Sequence, residues 1–129
     1  MSSSYMLIFR DTTPEVYEAM TPPQRQSALN DWNAWYDDLA ARGKVDHGRP
    51  LERGGRVVSG ARGETVVDGP FLEAKEAIGG YFLLTVDSLD EATEIARNCP
   101  NLKNGMVVEV RPVSGACHLA ESLGLQSMR

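Results

Sequence analysis

The sequence predicts an α+β domain in which a strand–helix–strand pattern occurs twice around one sheet. Three observations carry this expectation. Tyr81-Phe82-Leu83-Leu84-Thr85-Val86 is continuous and apolar, as a central strand with covered faces requires. Two helix-start signals, Thr21-Pro22-Pro23-Gln24 and Ser88-Leu89-Asp90-Glu91, stand ahead of apolar positions at helical spacing. A glycine-rich, β-type stretch lies between the first helix and the central strand.

Taken in order, Tyr5-Met6-Leu7-Ile8-Phe9 is a short apolar run that reads as a buried strand. Asp11 to Met20 is ambiguous, with Pro14-Glu15-Val16-Tyr17 able to start one helical turn behind Thr13 as cap. The long helix is expected from about Pro22 to Arg42. Thr21 caps it, Gln24 reaches back to the cap, and Gly43 sits where a C-terminal cap belongs. Leu29, Trp32, Tyr36 and Leu39 form its buried stripe, read as core rather than as a cofactor site. Residues 44–68 form a small β excursion or ribbon, with turns at Gly54-Gly55 and between Gly60 and Gly63. After the central strand, Leu89, Ala92, Ile95, Ala96 and Cys99 make the stripe of the second helix, and Pro100 ends it. Met106 to Arg111 alternates as a strand, with Val108 and Val110 on one face and Val107, Glu109 and Arg111 on the other. Ala116 to Leu125 reads as a short terminal helix.

This order suggests a ferredoxin-like domain with an inserted β excursion. The core runs over about residues 5–113, and 114–129 is a helical C-terminal extension of the same single domain. Two helices cover one sheet face. The other face would expose Phe, Leu and Val, so a homodimer packing two sheets face to face is expected.

The 129 residues suit one core. A hydrophobic share of 42% and a charged share of 24% are those of a globular protein. A formal net charge of -5 argues against a nucleic-acid binder, which shows a basic patch. There is no apolar run of membrane-spanning length, so no membrane partner is expected. Met1-Ser2-Ser3-Ser4 shows no secretory pattern, so the expected setting is cytoplasmic. Cys99 and Cys117 make no disulfide framework, and two cysteines with two histidines give no metal-ligand spacing. No cofactor is expected, because neither a phosphate-binding loop nor a nucleophile elbow is present.

The candidate chemistry centres on Asp68, which ends Thr65-Val66-Val67 and precedes Gly69-Pro70. It is either a general base at a strand end facing a cleft or a turn-capping acceptor. His47, after Asp46, is the candidate to meet Asp68 through the fold, which would orient its ring; otherwise it is a surface histidine. Lys75 and Glu76, near Glu73, are candidate ligand-binding residues or a solvated charge run. Glu109 and Arg111 point the same way from one strand and are either an anion-binding pair or surface charges.

Val66-Val67-Asp68-Gly69-Pro70-Phe71, the Lys75-Glu76 pair, Gly79-Gly80-Tyr81, the helix start Ser88 to Glu91 and the ending Val108-Glu109-Val110-Arg111-Pro112-Val113 together resemble the DGPF branch of the YCII-related family. The resemblance spans about Tyr5 to Val113. It implies a ferredoxin-like fold assembled as a dimeric α/β barrel, with a cleft between helix and sheet. Relatives carry a His and Asp pair there and are suspected of enzymatic activity, but Asp31 to Trp35 holds no histidine here. The DGPF branch is also associated with alternative sigma factors, which implies a regulatory setting. Two function classes follow: a dimeric small-molecule-binding or regulatory protein, and an enzyme using Asp68, with His47, on a small polar or aromatic substrate.

Overall fold

The computed structural model describes residues 3–69 and 78–125. The elements are β1 (Ser3–Arg10), α1 (Pro14–Glu18), α2 (Pro22–Ala41), β2 (Val45–Pro50), β3 (Gly55–Ser59), β4 (Thr65–Gly69), β5 (Ile78–Val86), α3 (Leu89–Arg97), β6 (Val107–Pro112) and α4 (His118–Ser122). A four-stranded antiparallel sheet has the order β2-β5-β1-β6. A second sheet of two strands, β3 and β4, is a hairpin. The architecture is α+β, and among the described residues neither sheet closes into a barrel.

The expected 44–68 excursion is therefore two things. Its first run, β2, joins the main sheet as an edge strand, and only β3 and β4 form the ribbon. In that ribbon Val57 pairs with Val67 and Val58 with Val66, and all four side chains are exposed. Gly60 and Gly63 take φ of +93° and +67°, the left-handed region that the tight loop between the strands requires.

Local chemistry explains the long helix. Thr21 Oγ1 accepts from the Gln24 N–H, and the Gln24 side chain accepts from the Thr21 N–H at 2.8 Å, completing the capping box. At the far end Gly43, at φ +69°, reverses the chain. At α3, Ser88 Oγ accepts from the Glu91 N–H at 3.0 Å. The reciprocal Glu91 bond comes from the Asp87 N–H, one residue earlier than the capping-box pattern places it. Thr13 is not a side-chain cap for α1. Its hydroxyl instead donates to the Asn104 carbonyl at 2.8 Å, a tertiary bond that wins over the local one.

The core lies between the helices and one sheet face. Leu7 and Phe9 of β1, Phe82, Leu84 and Val86 of β5, Leu39 of α2, and Ala92, Ile95, Ala96 and Cys99 around α3 are buried together. Register puts Leu7 beside both Phe82 and Val110, so alternate residues of three strands meet the helices. Val108 and Val110 pack against this core as the alternation required. Two stripe residues fall outside it. Leu29 is 52% exposed and Leu89 is 46% exposed. Leu29 faces the open cleft between α2 and the sheet; Leu89 is the first residue of its helix.

Met6, Ile8, Tyr81 and Leu83 alternate onto the other sheet face. The two main helices lie on the opposite face, and these four residues are only partly buried.

Candidate functional site

A cleft of about 480 Å³ opens between α2 and the end of the sheet where β1 finishes and β5 begins. It falls in the size range of small-ligand sites. Glycine lets the walls approach one another closely here. Gly48, Gly79 and Gly80 line the cleft and put no side chains into it. A Cβ on Gly48 would run into the Phe82 ring and lie 2.8 Å from the Tyr81 carbonyl oxygen. One on Gly80 would lie 2.8 Å from the Arg49 carbonyl oxygen.

The walls are aromatic. Phe9 and Trp32 ring centroids are 4.8 Å apart at 71°, Phe9 and Phe82 are 4.8 Å apart at 83°, and Tyr36 meets Phe82 at 5.1 Å and 69°. These edge-to-face contacts lock the rings against one another. Trp32 and Tyr36 thus serve two purposes. They pack on the core as the helical stripe predicts, and they also line the cleft, which a core-only stripe does not predict. Both rings are only partly buried, so each keeps surface open to the cleft.

Asp11 stands at this cleft with its carboxylate over Gly79, whose Cβ would collide with it. The backbone around it is tied down. Thr12 Oγ1 donates to the Gly105 carbonyl at 2.6 Å, and Thr13 binds Asn104 next door. Burial raises the Asp11 carboxyl above its ordinary pKa of 3.8, and the positive charge of Arg53 opposes that rise as the smaller influence. Behind it, the Tyr17 hydroxyl is buried without a hydrogen-bond partner among the described residues. Burial first, then the charge of Asp11, pushes that hydroxyl up to about 12. Cys99 is also raised by burial, and its Sγ lies 3.9 Å from Met106 Sδ.

The residues singled out in the sequence lie elsewhere. Asp68 is exposed on β4, opposite Arg56 in the ribbon. His47 is on β2, half exposed, its ring edge-on to Tyr81 at 5.5 Å and its Nδ1 3.7 Å from the Asp46 carboxylate. A register irregularity between Val45 and His47 brings those adjacent side chains closer than plain alternation would. Glu109 and Arg111 are on β6, the opposite edge strand, about 14 Å away by three strand spacings. They do form a pair, at 2.9 Å, and Arg10 closes on the other oxygen of Glu109. The Arg111 hydrogen bond first, with Arg10 adding to it, holds the Glu109 carboxyl below its usual range. Lys75 and Glu76, with Pro70, Phe71 and Glu73 of the motif, lie outside the described residues. The described candidates are thus spread over the ribbon and the two sheet edges. Asp11 went unnoticed in the sequence, although an acid directly after an apolar strand and ahead of Thr12-Thr13-Pro14 was a usable signal.

Among the described residues no group of three or more His, Cys, Asp or Glu side chains is placed to hold a metal ion. No helix of the described residues is long and apolar enough to cross a membrane.

Comparison with known proteins agrees with the motif reading. An uncharacterised protein of Rhizobium meliloti (strain 1021) is 46% identical over 54 residues, covering 40% of this chain and 44% of that protein. The aligned stretch is thus under half the length of that curated relative. The model of the YCII-related domain matches residues 4–114, nearly the whole folded unit, and the chain therefore belongs to the YCII-related family.

Proposed function

We propose that this chain is a small-molecule-binding domain of ferredoxin-like fold, dimeric across its open sheet face, with the α2–sheet cleft as its ligand site. The observation that carries the reading is the cleft itself: a glycine-lined floor, a locked aromatic wall and one carboxylate on an anchored segment. This combination matches the usual make-up of ligand pockets, mostly apolar with few placed polar groups. The strand order β2-β5-β1-β6, with both long helices on one face, supports the ferredoxin-like reading. Met6, Ile8, Tyr81 and Leu83 supply the apolar surface for a partner sheet, as in the DGPF-type dimer that the motif resemblance implies. A regulatory role, in the sigma-factor setting of that branch, fits a binding domain without a separate catalytic constellation. Catalysis by Asp68 with His47 remains a different proposal, which requires those residues to meet through an assembled dimer.

Both tryptophans of the chain, Trp32 and Trp35, stand in the aromatic cluster 5.2 Å apart, so their fluorescence reports directly on the cleft. Aromatic fragments are expected to quench it and to raise the melting temperature. Narrowing the cleft with Asn33→Phe, at an exposed lining position of α2, should weaken both effects in a folded protein. Fragments that stabilise wild type and this variant equally would place the ligand site elsewhere. Sedimentation should show a dimer that Leu83→Lys splits; a wild-type monomer at micromolar concentration would refute the dimer.

A further inference from the structure

The cleft pairs aromatic walls with one carboxylate, and from this we propose that its ligand is an organic ammonium ion held against Asp11. The inference rests on the cleft being the ligand site. Three features select this class. Trp32 and Tyr36, partly open and backed by the buried rings of Phe9 and Phe82, present ring surface of the kind that attracts cations. Asp11 supplies the countercharge, and its backbone is anchored by the Thr12 and Thr13 bonds to Gly105 and Asn104. An acceptor held this way loses little freedom on binding. Third, the cleft keeps other charges at its margin. Arg49 is a lining residue, but it stands opposite Tyr81 in β2, between Gly48 and Pro50, and strand alternation sends its side chain to the open sheet face. Arg53, beyond the end of β2, is exposed and acts on Asp11 only through space.

The desolvation of Asp11 points the same way. A carboxylate short of solvent is stabilised most by a ligand that brings a positive N–H donor. An anionic ligand would meet a like charge that Arg53 offsets only in part. A neutral one would leave the carboxylate half-solvated.

The test compares three probes of one size and shape class: benzylammonium, benzyl alcohol and benzoate. Binding is read from tryptophan fluorescence and checked by calorimetry on the full chain. Benzylammonium should bind at least about tenfold more tightly than benzyl alcohol, the usual worth of a charge-assisted contact. Benzoate should bind most weakly. Asp11→Asn, nearly isosteric, should erase the preference for benzylammonium over benzyl alcohol. If that variant fails to fold, Gly79→Ala provides the second arm. Its added methyl displaces the Asp11 carboxylate without removing it, and the preference should fall there too. Equal binding of benzylammonium and benzyl alcohol, or a preference for benzoate, would overturn the ammonium class and leave the cleft reading standing. Failure of all three probes to bind wild type would overturn both.

Discussion

Truncating Leu39 tests the placement of the long helix against the sheet. Leu39 is 1% exposed and is the buried residue of α2 that joins the strand core, beside Leu7, Leu84 and Ile95 in one cluster. Leu39→Ala removes three side-chain carbons, a transfer loss of about 2.4 kcal/mol at roughly 0.8 kcal/mol per methylene. Locked rings and β-strand backbone around it limit collapse. A residual cavity of roughly 60 Å³ adds about 1.4 kcal/mol, giving a total near 4 kcal/mol. Leu29, on the same helix and 52% exposed, serves as the internal control. Leu29→Ala should cost under about 1 kcal/mol. Both values come from urea unfolding followed by circular dichroism, at one fixed protein concentration because a dimer links stability to concentration. A loss under about 1 kcal/mol for Leu39→Ala, or equal losses for the two leucines, would show that α2 presents a different face.

Gly48→Ala should cost about 1–3 kcal/mol in the same assay, because the new methyl meets the Phe82 ring and the Tyr81 carbonyl; a neutral result would mean that the ring can move aside. Lys44 Nζ holds Glu91 at 2.7 Å and, with the Asp87 N–H, keeps the Glu91 carboxyl below its ordinary 4.5. A depressed carboxyl stabilises the fold above its unfolded pKa, and that help is lost as pH falls through the lower folded value. Acid titration of the melting temperature should therefore be shallower below about pH 4.5 in Glu91→Gln than in wild type; an unchanged slope would refute the pairing. Asp68→Asn should change stability by less than about 0.5 kcal/mol and leave fragment binding intact, because Asp68 is exposed on the ribbon. Lost binding in that folded variant would bring Asp68 to the site.

Much of the fold was legible because local chemistry governs it. The Thr21–Gln24 capping box, the Ser88 cap, the Gly43 reversal and the alternation of β6 depend on residues within a few positions of one another. The motif segments likewise sufficed to identify the YCII-related family. By itself the sequence determined the family, the α+β class, the two main helices and the central strand. The tertiary structure decided what depends on distant pairing. It assigned β2 to the main sheet and left β3–β4 as a separate ribbon, since only long-range register separates one short β run from another. It diverted Thr13 from its helix to Asn104, 91 residues away. It placed His47 and Arg111 on opposite sheet edges. Above all it made the cleft, because three glycines from two strands, one helix's aromatic stripe and an acid after β1 meet only when the chain is folded. Helical periodicity says which side of Trp32 faces inward, but it cannot say that the sheet beneath has no side chains to fill the space.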